Sequence, residues 1–258
     1  MKKVLISAAV AAACATPFAV LAQAAPAKPE PEYTITGNAG LFSDYRFRGY
    51  SQTDYNPAFQ GGFDFTHKSG FYLGNWNSNV NSTLYNGASL EMDFYGGYKA
   101  TFGDFGLDVG TIYYFYPGTG QVTPGLDAKN WEVYVGGSWG PISAKYFYSF
   151  TDWFGLKAPG IDSKGSQYID LTGTFDLGSG FGIVGHVGWQ KVKNGEQLGL
   201  TKNTVYDYKL GVTYDIAGSG WIASAAWVAT SDKSWFLVTD GSEGAGKSSA
   251  LVSISKTF

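Results

Sequence analysis

Charge, thiols and long apolar runs are all scarce in this chain of 258 residues. Charged side chains make up only 15%, against roughly 25% in soluble domains. The net charge is −3 and the only arginines are Arg46 and Arg48, a balance that leaves no basic surface for nucleic acid. The one cysteine, Cys14, lies in an N-terminal stretch that reads as removable. The mature chain then has no thiol, which excludes disulfides and cysteine catalysis. Nothing in the mature chain supplies the roughly 20 consecutive apolar residues of a spanning helix. Histidine is limited to His67 and His186, so metal-ligand spacing is absent. A serine hydrolase needs a base oriented by a third group beside its nucleophile, and no Gly-x-Ser-x-Gly elbow precedes a helical pattern here. The glycine pairs 61–62, 96–97 and 136–137 also precede no helix, so they cannot cradle phosphate.

Glycine and aromatic rings are what the chain has in excess. There are 36 glycines, and Phe, Tyr and Trp together reach 17%. Such a chain is not disordered, since disordered chains are poor in aromatics and rich in net charge. Residues 1–24 carry a basic start at Lys2 and Lys3, an apolar run over 4–13 and the small-x-small site Ala22-Gln23-Ala24. They read as a secretory signal peptide of the Sec pathway. Residues 25–32 are Pro-rich and polar and read as a short periplasmic tail. The barrel described next is expected over 33–258.

From Tyr33 onward the pattern has period two, the signature of strands. In the first run Tyr33, Ile35, Ala39, Leu41, Tyr45 and Phe47 alternate with Thr34, Thr36, Asn38, Asp44, Arg46 and Arg48. Later, Tyr206, Tyr208, Leu210, Val212 and Tyr214 alternate with Asp207, Lys209, Thr213 and Asp215. Twelve such runs are expected, near 33–48, 57–67, 71–81, 88–102, 105–116, 130–139, 142–154, 166–177, 181–192, 204–216, 221–231 and 248–258. Short turns near 67–70, 103–104, 140–141, 178–180 and 217–220 alternate with longer polar loops. This is the pattern of an all-β, up-and-down transmembrane barrel with short periplasmic turns and long extracellular loops. Closure of the sheet in lipid calls for an even strand number.

Aromatic residues cluster at both ends of these runs. Tyr98, Phe102, Trp139, Phe181 and Trp221 lie near the short turns, while residues 113–116, Trp153-Phe154 and Trp235-Phe236 lie near the long loops. Two such groups flanking an apolar band resemble interfacial girdles. The terminal Phe258, with Ala250, Val252 and Ile254 on its face, resembles the C-terminal signal of bacterial outer-membrane barrels, with Lys256 standing where an apolar residue is usual. That signal would engage the barrel-assembly machinery.

The run Phe42-Ser43-Asp44-Tyr45-Arg46-Phe47-Arg48-Gly49-Tyr50-Ser51-Gln52 resembles the opening motif of the TorF porin family. The similarity continues through residues 57–64, 69–76, 78–80 and 91–98, and covers about residues 40–100. The resemblance implies an outer-membrane channel without specifying its solute.

Alternation places Asp44, Arg46 and Arg48 on the lumenal face of strand one, near the long loops. Gln60 and Asp64 on strand two, and Glu91, Asp93 and Lys99 on strand four, should face them. Glu132, Asp170, His186, Asp207 and Lys209 complete the expected lumen, with Asp108, Asp215 and Lys145 among their neighbours. Two readings follow. Guanidiniums opposed by Asp64, Glu91 or Asp93 would form a constriction with a transverse field. Alternatively, the same charges would form ion pairs that narrow or seal the lumen. The expected function is passive diffusion of small hydrophilic solutes or ions through a narrow pore with mild cation preference, since acids outnumber bases. The alternative is a sealed structural or adhesive barrel, and an outer-membrane hydrolase comes third. Outer-membrane lipid and lipopolysaccharide are the expected surroundings, and no cofactor or metal is expected.

Overall fold

The computed structural model describes residues 31–120, 127–235 and 244–258. The signal peptide and most of the tail lie outside the described residues, as does Phe236. Fourteen strands follow in order. They are β1 (Tyr33–Phe42), β2 (Arg46–Phe47), β3 (Tyr50–Ser51), β4 (Ala58–His67), β5 (Phe71–Asn79), β6 (Leu90–Phe102), β7 (Phe105–Phe115), β8 (Lys129–Trp139), β9 (Ile142–Ser149), β10 (Gln167–Gly178), β11 (Phe181–Lys191), β12 (Thr204–Asp215), β13 (Trp221–Thr230) and β14 (Ser249–Thr257). All except β2 and β3 form one closed barrel of twelve strands, in which β1 pairs with β14 as well as with β4. Every barrel ladder is antiparallel. The helical content of the described residues is two single 3₁₀ turns, at Trp153–Gly155 and Glu196–Leu198.

Alternation sorts the side chains as expected. Leu41, Phe63, Leu73, Val109, Val135, Leu171, Leu210 and Val252 are exposed on the outside, where lipid replaces water as their solvent. Near the short turns, exposed Tyr98, Phe102, Trp139, Phe181 and Trp221 form one girdle. Lys256 joins it, its ammonium 5.3 Å from the ring centroid of Trp221. The other girdle needs correction. Phe115, Trp131, Tyr148 and Tyr206 face outward, but Tyr114, Tyr116, Trp153 and Trp235 are buried inside the mouth. Ring composition located the barrel end without locating the face: Tyr114 turns inward by the alternation of β7, and Trp153 and Trp235 lie in loops beyond the ladder, free to turn inward.

One exterior stripe is polar. Asn75 and Asn77 on β5 alternate with buried Trp76 and Ser78, so their amides point outward. The Asn75 amide donates to the Asp93 carbonyl at 3.0 Å, and that of Asn77 to the Gly61 carbonyl at 3.2 Å. Neighbouring backbone thus satisfies amides that lipid could not.

The first strand is shorter than its alternation implied. β1 ends at Phe42, and Ser43 makes a last backbone bond to Val252 (2.9 Å) before the chain leaves the wall. Asp44, Arg46 and Arg48 therefore do not lie on strand one. They belong to a segment, residues 43–57, that folds back into the lumen, which also overturns the outward assignment of Tyr45 and Phe47. The run expected over 142–154 likewise stops at Ser149, the end of β9.

Candidate functional site

The inward segment is a miniature hairpin. β2 and β3 pair Arg46 with Ser51 and Phe47 with Tyr50. The two turn residues, Arg48 and Gly49, have φ of 48° and 83°. Positive φ at both central positions is what a two-residue hairpin turn requires. Gly49 is demanded by space as well: a Cβ there would come within 2.6 Å of the Asp207 Cβ and 2.7 Å of Thr230 Cγ2. The hairpin tip therefore presses on the wall at β12 and β13.

Asp44 organises the hairpin from within. Its carboxylate accepts bonds from Arg46 Nε (2.5 Å), Ser51 Oγ (2.6 Å) and Thr53 Oγ1 (2.9 Å). Arg46 then ties the hairpin to the last loop and β14, donating to the carbonyls of Gly49 and Lys247 and to Ser249 Oγ at 2.9, 3.0 and 2.7 Å. Arg48 reaches across the lumen. It donates to Glu132 Oε2 on β8 and Gln190 Oε1 on β11, both at 2.6 Å. Its guanidinium lies 4.2 Å from the Tyr168 ring centroid and 4.7 Å from that of Phe47. Burial pulls the Arg48 guanidinium towards neutrality, but the Glu132 carboxylate more than reverses this and holds it above its ordinary range.

The partners expected for the arginines thus need correction. Arg46 faces Asp44 and Arg48 faces Glu132, rather than Asp64, Glu91 or Asp93. Asp64 instead accepts from the Tyr95 hydroxyl at 2.6 Å. Glu91 and Asp93, each 1% exposed, sit beneath the segment. Glu91 Oε1 accepts from the Tyr45 hydroxyl at 3.1 Å, while Glu91 Oε2 and Asp93 Oδ1 have no partner among the described residues. Gln60 is buried at the same level.

Two further clusters line the wall. Asp108 receives Lys145 Nζ at 2.7 Å and the Tyr72 hydroxyl at 2.6 Å, and Lys99 lies over the Tyr72 ring. His186 places Nδ1 at 3.2 Å from Asp170 Oδ2 and Nε2 at 2.8 Å from Asp207 Oδ1, with the Tyr168 hydroxyl close to both His186 and Asp207. Both ring nitrogens face carboxylates, and the Thr172 hydroxyl lies 3.0 Å from Nδ1, so His186 is bound into the wall from several sides. Lys209 faces inward on β12, opposite His186 in the ladder. Tyr168 shares the inward face that alternation gives Asp170, but the lumenal tyrosines Tyr72 and Tyr134 were missed in the sequence. Alternation on β5 and β8 was the available signal, but an aromatic ring reads first as an outward residue.

The two halves of the lumen differ. Around the hairpin, Glu91, Asp93, Asn130, Glu132 and Gln190 are buried. Towards the short turns, inward Thr34, Thr66, Thr101 and Asp176 are exposed and Asp170, His186, Lys209 and Thr213 are half-buried, while the Tyr72, Asp108 and Lys145 cluster is buried on one side of the wall.

A closed antiparallel barrel with an apolar exterior, a polar interior and a segment folded into one mouth is a transmembrane barrel of the outer-membrane type. The chain belongs to the family described as "Bacterial protein of unknown function (Gcw_chp)", whose model matches residues 26–258. No curated protein matches it. Among solved structures it is similar to the KdgM porin, at 8% identity and a TM-score of 0.53, covering 87% of this chain and 97% of that one. A chain from work on the in-meso crystallization of membrane proteins superposes with a TM-score of 0.50 at 7% identity, over 86% of this chain and 83% of that one. At these identities the likeness is one of fold.

Proposed function

We propose that the protein is a narrow, gated outer-membrane channel for small hydrophilic solutes or ions, with the segment 43–57 as its gate and this structure its closed form. The observation that carries the reading is the asymmetry of the lumen. A purely structural barrel gains nothing from a polar inner half that is partly open to solvent, whereas a channel needs one. The fold shared with the KdgM porin and the resemblance of residues 40–100 to the TorF porin family are in keeping with it. Carboxylates in the wetter half (Asp64, Asp170, Asp176, Asp215) outnumber the lysines there, so passing cations should be preferred. Export through the Sec pathway and assembly through the strand ending at Phe258 belong to the same proposal.

A second reading, a permanently sealed barrel, is favoured by the buried Arg48–Glu132 pair, since such pairs are costly to break once made. Planar-bilayer recordings separate the two. The channel reading expects discrete conductance steps from the full chain and longer openings when residues 46–51 are replaced by a short glycine linker. Silence from both proteins, each shown to be a folded barrel by heat-modifiable migration, would overturn it.

A further inference from the structure

A cavity of about 160 Å³ lies at the outer mouth, above the hairpin. Phe47 and Tyr50 of the hairpin form its floor, and Tyr85, Trp153, Phe154 and Trp235 from three separate loops form its sides. The polar ends of three wall residues are engaged elsewhere. The Tyr50 hydroxyl donates to the Asp232 carbonyl at 2.8 Å, the Trp235 indole N–H to the Lys202 carbonyl at 2.6 Å, and the Tyr85 hydroxyl to Gln52 Oε1. Gln190, at the cavity edge, accepts from Arg48 and donates to the Gln167 carbonyl at 2.9 Å. The lining that faces the cavity is mostly ring faces and aliphatic carbon.

Phe154 adds an independent sign. Its φ is 45°, a conformation that costs energy for a bulky residue and clusters at ligand clamps. It is held there between Phe47, Tyr114 and Trp153, with ring centroids 5.6, 5.3 and 5.1 Å away. The cost is borne to present an aromatic ring to the cavity.

We infer that this vestibule is a binding site for a single-ring aromatic molecule. Size and chemistry both point there. A dry apolar cavity of about 150 Å³ is large enough to hold benzene. Stacked and edge-on ring contacts favour an aromatic guest over an aliphatic one. A sugar of the same size would bring several hydroxyls to a wall made mostly of ring faces and aliphatic carbon, and would leave most of them unpaired. The site does not depend on whether the lumen conducts.

The test uses the full chain in detergent micelles, with iodobenzene as the probe. Iodine quenches indole fluorescence, and Trp153 and Trp235 line the cavity, so binding adds a saturable component to the linear quenching caused by partition into the micelle. The site predicts that Ala128→Leu and Leu156→Phe, which fill the cavity from different loops, each weaken that component at least tenfold, and that glucose competes with neither. It also predicts an iodine anomalous peak inside this cavity, against the rings that line it, in crystals of the wild-type protein. Purely linear quenching of the wild type, a saturable component unchanged in both filled variants, or competition by glucose would overturn it. If one filled variant fails to fold, the other variant and the iodine peak still decide.

Discussion

The outer and inner halves of the lumen are built by the same twelve strands with the same alternation, yet one is packed throughout and the other, outside the Asp108–Lys145 cluster, is partly open to solvent. In the outer half, Glu132 and Gln190 are each 1% exposed and clasp Arg48. In the inner half, threonines and aspartates at equivalent inward positions meet solvent. The strands do not account for the difference. Fifteen or so residues between β1 and β4 do, by turning inward at one end only. Wall chemistry therefore sets what can line a lumen of this width, and one connecting segment decides how much of it is open.

If that segment holds the outer half together, mutations there should cost far more than matched changes below it. Arg48→Ala leaves Glu132 buried without its cation, and the expected loss is about 3–5 kcal/mol, read from urea unfolding of the refolded barrel. Thr213→Ala in the wet half should stay within about 0.5 kcal/mol of wild type. Equal effects would erase the distinction between the halves.

The next largest effect compares inside with outside. Leu210→Arg puts a charge on the lipid face and should cost roughly 2–4 kcal/mol if it lies at the bilayer midplane. Thr213→Arg, inward and half-solvated, should be tolerated. The two folding free energies in lipid vesicles check this, and reversal of the order would mean that the strand faces are misassigned.

Smaller still is Tyr45→Phe. It removes the hydroxyl that donates to Glu91 and leaves another buried carboxylate oxygen without a partner, which costs about 1–3 kcal/mol. A tyrosine-to-phenylalanine change at Tyr95, bonded to half-buried Asp64, should cost less by the same unfolding measurement.

The smallest expected response is to alkali. Arg48 is raised in the folded state by Glu132, so the stability it contributes is complete below its unfolded value and is lost only as pH climbs through the higher folded one. Taking the buffer from about pH 7 to about pH 10 should leave the Arg48 pairing intact. A loss of stability over that interval that is absent in Arg48→Ala would contradict the assignment.

Much of this was legible in the sequence, and the exceptions have physical causes. Strand number, faces and the alternation of short and long connections follow from period two, because a barrel in lipid must bury one set of side chains and expose the other. That Arg46 and Arg48 lie inside near the long loops was also legible. Their placement on a strand was not, since Asp44-Tyr45-Arg46-Phe47-Arg48 keeps alternating after the chain has left the wall. The Arg48-Gly49 pair, with its two positive φ values, was the overlooked mark of a turn. Partner choice was beyond reach for a different reason. Glu132 lies 84 residues from Arg48, and only the closed barrel with its folded segment brings them together.

The central claim is that Arg48 keeps the outer half of the lumen shut, and single-channel recording of Arg48→Gln beside wild type tests it most directly. Gln keeps a polar side chain but removes the charge that Glu132 holds. The account predicts a larger open fraction for Arg48→Gln with the barrel intact on heat-modifiable gels. An intact variant barrel with an open fraction equal to wild type would contradict it.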